Sequence, residues 1–156
     1  VAPIPAGGIG APASIHEAAK AQRKSANARD EMIRERMLMR IRATKDSVIQ
    51  GVDRALSVSD AHFDDSWQSM QEFNLSESLD ELITPTLMVA GAADGLCAAN
   101  VNDWQRLPNA TLHVFSRVGH GIPGDVPEEF AIMLADFLEH GVVNAKTQQE
   151  KLARSR

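Results

Sequence analysis

The sequence predicts an α/β chain built on about three parallel strands, with flanking helices and a separate helical region. Three observations carry this. Two short apolar runs, 87–90 and 112–115, are bounded by Gly or Pro, the pattern of buried strands. The segment between them, 98–107, has the length of a short helix. Strand, helix, strand requires a parallel pair with a crossover. Each run is also followed by a glycine turn with a chemically capable residue, Gly91 before Asp94 and Gly119 before His120. Parallel strands put both turns on the carboxyl edge of the sheet, where open α/β sheets hold ligands. An acid and a histidine are thus expected to meet there.

A chain of 156 residues can bury one good core. Composition is ordinary for a globular protein, with net charge -5 and few aromatic residues. No apolar run approaches membrane-spanning length, and no signal peptide is visible. Cys97 is the lone cysteine. It excludes an internal disulfide and favours a reducing, cytoplasmic setting. The first residue is Val1, inside an apolar stretch, so a chain cut at its amino end is expected. There is no internal repeat.

In chain order, residues 1–5 read as the end of a strand and 6–12 as a Gly/Pro-rich loop. The loop's GGIG lacks a following Lys-Ser/Thr pair, so a connection is preferred to a phosphate cradle. Ser14 with Glu17 forms a capping-box pattern, and helix is expected to about residue 43, with a break at 25–28. Ile33, Met37 and Ile41 share one helical face. A second helix covers 46–56 and tolerates Gly51. A third runs from Asp60 to near Phe73, with Phe63, Trp67 and Met70 at helical spacing. Residues 75–82 lead back to the sheet. After His120, Pro127 suits the first residue of a helix, and Glu128 and Glu129 suit its positive end. Phe130, Met133, Leu134, Phe137 and Leu138 give it an apolar face, and Gly141 stops it. The polar, basic residues from 145 show no periodicity and are expected to be a frayed tail.

The stretches "TPTLMVAGAADG" and "GHGIPGDVPEEF" resemble the carboxyl half of an α/β-hydrolase, and the resemblance is strong over about 75–141. In that family the acid follows the penultimate strand in a G-x-x-D turn and the histidine follows the last strand, in that chain order. The resemblance implies Asp94 and His120 as catalytic acid and histidine. It implies a division into the end of a core strand and loop (1–12), a helical cap (13–74), the carboxyl half of the core (75–144) and a flexible tail (145–156). It also implies a parent that hydrolyses a small ester, lactone or related acyl substrate. Carbon–carbon hydrolysis or epoxide opening remain open within the fold, as does a non-catalytic ligand-binding or scaffold protein. The family's nucleophile elbow, G-x-S-x-G, is absent from these residues. The family's oxyanion-hole donors lie beside that nucleophile and in an early strand–helix loop, so this chain alone is expected to be inactive. No cofactor and no metal are implied.

Other residues compete with this pair. Asp103 and Asp125 compete with Asp94 as the acid; Asp94 is best placed. Cys97 lies three residues from Asp94 but lacks the surroundings of a nucleophile. His113 falls within a strand. His62 with Asp64 and Asp65 could hold a metal, but no paired histidine supports it and His16 is distant in sequence. Met32, Met37 and Met39 fit either core packing or a pocket lining. The first helical stretch is net basic, yet acids are interspersed and no aromatic accompanies it. A solvated face is therefore preferred to a nucleic-acid or membrane surface. The expected partner is a small-molecule substrate; oligomeric state is left open.

Overall fold

The computed structural model describes residues 13–39, 41–72 and 75–155. Four helices come first: α1 (Ala13–Arg23), α2 (Ala28–Leu38), α3 (Lys45–Ser57) and α4 (Asp60–Glu72). A 3-10 turn, Ser76–Glu81, leads into β1 (Thr86–Gly91). Then follow α5 (Cys97–Arg106), β2 (Ala110–Phe115), the single turn α6 (Ile122–Asp125), α7 (Pro127–His140) and α8 (Ala145–Arg154). The strand expected at 1–5 and the loop at 6–12 lie outside the described residues. Among those described the sheet has two strands.

The helical region forms as its pattern requires. The break between α1 and α2 falls at 24–27, where the polar stretch was expected to interrupt the run. Ser14 lies inside the first turn of α1 rather than ahead of it. Thr44 caps α3, its side chain accepting from the Ser47 amide at 3.1 Å. Val48 and Val52 are buried on α3, as is Ala28 on α2. Arg29 forks onto both Asp53 oxygens at 2.6 and 3.1 Å, tying α2 to α3. α1 meets α4 through aromatic contacts. His16 stacks on Trp67 with ring centres 4.8 Å apart, and the Arg23 guanidinium lies 4.7 Å from the Phe63 ring centre. Met37 and Met39 are exposed, so the core-packing reading of these two is corrected. They occupy the last turn and C-cap of α2.

The sheet is parallel, with Thr86 opposite Ala110 and Gly91 opposite Phe115. Its two faces are covered differently. On one, Leu79, Leu107 and Ala110 are buried with Met88 and Trp104. On the other, Phe115, Val118, Ile122 and Val126 pack with Val89, Phe130 and Met133. Met88 and Val89 are successive residues on opposite faces, as the pleat demands. α5 therefore covers one face and α6–α7 the other, as parallel sheets require.

The tail expected at 145–156 is a helix instead. Its apolar residues are few, Ala145, Leu152 and Ala153, so periodicity is hard to see, and the helix is held at its start. Asn144 and Thr147 form a reciprocal capping box, and the Asn144 side-chain Nδ2 donates to the Ala110 carbonyl at 2.9 Å. The segment expected as a loop after His120 likewise closes one helical turn, α6.

Candidate active site

The site is assembled by the two turns at the carboxyl ends of the strands. The chain leaves β1 at Gly91, and Asp94 closes a tight turn by donating its amide to the Gly91 carbonyl at 3.0 Å. One carboxylate oxygen of Asp94 accepts from the Leu96 amide at 3.0 Å. That bond fixes the side chain before any partner arrives. The turn after β2 is stitched to this one: the Ala92 amide donates to Phe115 O and the Ala93 amide to Val118 O, both at 2.9 Å. Val118 is fully buried, which drives the turn into the core and leaves His120 at its lip.

Asp94 and His120 meet there. His120 Nδ1 lies 2.9 Å from Asp94 Oδ2. The Asp94 side chain is 12% exposed and that of His120 62%. The carboxylate is sheltered and already hydrogen-bonded; the imidazole stands in the open. A proton on Nδ1, shared with Asp94, leaves Nε2 free to accept or return one.

The close approach of the turns depends on one glycine. A Cβ on Gly91 would stand 2.3 Å from the carbonyl oxygens of both Val118 and Gly119. Gly91 is thus required by packing, not by an unusual φ. By contrast, a Cβ on Gly119 would meet only Ile41, at 3.7 Å. The left-handed residue in this region is Arg117, with φ 59.

Of the competing acids, Asp103 lines the cavity that opens at this pair, and Asp125 follows His120 in α6. Asp103 is buried within α5. Asp125 lies beside Gly121 and at 3.4 Å from Ser47 Oγ. Burial pushes its carboxyl above the usual range, against weaker pulls from Ser47 and Arg36. A carboxylate whose folded pKa is raised destabilises the fold above that pKa, and the penalty disappears as pH falls below the unfolded value. Asp125→Asn keeps the acceptor for Ser47 and removes the charge. It is expected to leave stability at pH 7 equal or raised, by less than about 0.5 kcal/mol because the group is largely solvated. The difference from the parent should vanish below about pH 3.5. Thermal unfolding at both pH values checks this, and a clear loss of stability at pH 7 contradicts it.

The remaining candidates are accounted for. The Cys97 amide donates to the Asp94 carbonyl at 3.1 Å, helping to close the turn. His113 is exposed on β2, its ring centre 4.4 Å from that of Phe115. Asp64 is engaged by Lys20 at 2.6 Å and by His16 at 3.0 Å. Lys20 is the main cause of its lowered pKa. That pairing of His16 with Asp64 was hidden by their separation in sequence. Among the described residues, no helix is long and apolar enough to cross a membrane.

A cavity of about 840 Å³ opens at the pair. Asp94 and His120 stand at its wall, and it follows β1 with Leu87, Met88 and Val89 as lining. Both faces of β1 contribute, so the groove tracks the edge of β1 away from β2. A smaller cleft, lined by Pro85, Asn109 and Gly141, lies at the other end of the strands.

No protein-family model matches the chain. A curated relative, "Putative carbamate hydrolase RutD" of Caulobacter sp. (strain K31), is 36% identical over 75 residues, covering 46% of this chain and 27% of the relative. Two solved structures share the architecture. The esterase EaEST from Exiguobacterium antarcticum superposes with TM-score 0.61 at 16% identity, over 84% of this chain and 53% of that one. Est816, described as an N-acyl homoserine lactone degrading enzyme, gives TM-score 0.60 at 23% identity, over 85% and 54%. The chain thus spans about a quarter of the curated relative and about half of each structure. The described residues have the architecture of a partial α/β-hydrolase fold.

Proposed function

We propose that the chain supplies the cap and the histidine–acid half of a hydrolase that cleaves a small ester, lactone or related acyl compound. The observation that carries this is the 2.9 Å contact between a sheltered Asp94 and an open His120. Its position at the carboxyl edge of a parallel sheet adds support. In this reading 13–74 is the cap, 75–144 the core portion, and the nucleophile comes from residues beyond these 156. The groove along β1 supports that reading, because an open apolar strand edge is a place for a further strand. Small-molecule acyl substrates are also what the names of the relatives point to. A cytoplasmic setting fits the lone Cys97.

His120 Nε2 takes the proton of the attacking hydroxyl as its oxygen bonds the acyl carbon. Asp94 holds the proton on Nδ1 and stabilises the imidazolium that forms. The imidazolium then gives the Nε2 proton to the leaving oxygen as the acyl bond breaks. Water repeats the sequence on the acyl-enzyme, with the same nitrogen acting first as base and then as acid.

The test compares the 156-residue chain with the complete reading frame that encodes it, on a chromogenic short-chain ester. The complete protein is expected to turn over and the chain alone to match buffer. His120-dependent turnover by the chain alone would place the nucleophile inside it. Ligand binding without turnover by the complete protein would instead establish the non-catalytic reading.

A further inference from the structure

We infer that residues 41–47, the end of the link after α2 and the first turn of α3, form a strap over the turn that carries His120, and that Arg42 is its positioning residue. The inference rests on the reading of Asp94 and His120 as a proton relay for its catalytic meaning, though its geometry stands apart from it. Through this strap the placement of the cap helices is coupled to the Asp94–His120 contact.

Several contacts build the strap, and they fall on both sides of His120. The Arg42 amide donates to the Arg117 carbonyl at 2.6 Å. The Arg42 guanidinium grips both carboxylate oxygens of Glu129 in the first turn of α7, one of them at 3.0 Å. Ile41 lies beside Gly119, its Cδ1 3.7 Å from where a Cβ would stand. Ser47 makes a longer contact with Asp125 at 3.4 Å. One short segment thus spans the chain from 117 to 129.

The conformation beneath it explains why a strap matters. Arg117 has φ 59, a left-handed backbone that a residue with a long side chain adopts only when its surroundings impose it. From below, Ala92 and Ala93 hold Phe115 and Val118. From above, the bond to Arg117's own carbonyl comes from Arg42. With Arg42 displaced, Arg117 can relax toward negative φ, and the following residues turn His120 away from Asp94. An exposed ion pair contributes little to stability by itself. Here it is bidentate and shares a residue with the backbone bond, so its effect is to aim the turn.

The experiment uses the complete protein and the imidazole nitrogen chemical shifts of His120, which report which ring nitrogen holds the proton and whether Nδ1 is bonded. Asp94→Asn defines the released state. Arg42→Glu should move the His120 signals toward that state, by a factor of roughly 2–5 in the held-to-released ratio, the size of one exposed bidentate pair. Adding Glu129→Arg should restore them. The His62 and His140 signals should stay in place, which separates aiming from general loosening. If Arg42→Glu does not fold, Glu129→Gln is read the same way. Unchanged His120 signals in a folded variant would overturn the inference. So would a shift shared by all the histidines, or one that the charge-swapped pair fails to restore.

Discussion

Gly91→Ala is expected to be the most damaging single substitution in the described core. The new Cβ would stand 2.3 Å from two backbone oxygens, those of Val118 and Gly119. Backbone cannot rotate aside as a side chain tip can, so the turn after β2 must move by about an ångström or more. That movement breaks the amide bond from Ala93 to Val118 O and unseats the fully buried Val118. It also carries His120 off Asp94. A loss of about 3 kcal/mol or more is expected, at the upper end of what overpacking costs. Urea unfolding measures it, and the His120 ring signals follow the contact in whatever remains folded. Gly119→Ala is the control: its Cβ meets only Ile41 at an ordinary contact distance. Equal losses in the two variants would contradict the close-approach account of Gly91.

The contrast between those glycines shows what a sequence can reveal. The G-x-x-D and G-H turns were legible, as were the strands at 87–90 and 112–115 and the helix between them. Each rests on local apolar runs and their punctuation, which survive in the linear chain. The reason for Gly91 was not legible, since it lies in the 118–119 carbonyls, distant in sequence. The left-handed residue is Arg117, where no glycine or asparagine advertises it. α8 was missed because its apolar residues are few; Asn144 and Thr147 at its start were the available signal. The strap from Arg42 to Glu129 spans 87 positions and uses ordinary charged residues. His16 beside Asp64 was hidden in the same way. The meeting of Asp94 with His120 was legible from the two turns, because strand ends fix direction more firmly than helices or loops do.

The second large effect belongs to the pair itself. Asp94 is held by the Leu96 amide on one oxygen and meets His120 Nδ1 with the other. Asp94→Asn preserves shape but changes chemistry. An amide cannot stabilise the imidazolium, and its NH₂ group can turn toward Nδ1 and force the proton onto Nε2. The nitrogen that should act as base is then blocked. In the complete protein kcat is expected to fall about 10,000-fold, while KM changes little because neither group is needed to seat the acyl substrate. In the 156-residue chain the same substitution should appear as a change of His120 tautomer without loss of the fold. A fall in KM-linked affinity with kcat retained would show that Asp94 shapes a binding site instead.

The central claim is that His120 is the group that moves the proton. The most direct measurement is kcat/KM for a chromogenic short-chain ester, made on the complete reading frame before and after His120→Ala. His120 is exposed on a turn whose anchor is Val118, so the alanine variant should keep its fold by circular dichroism and unfolding. The account predicts a loss of about 10,000-fold or more, since the nucleophile is left without its base. A folded His120→Ala protein that keeps its activity to within about tenfold, less than a general base ordinarily contributes, would contradict it.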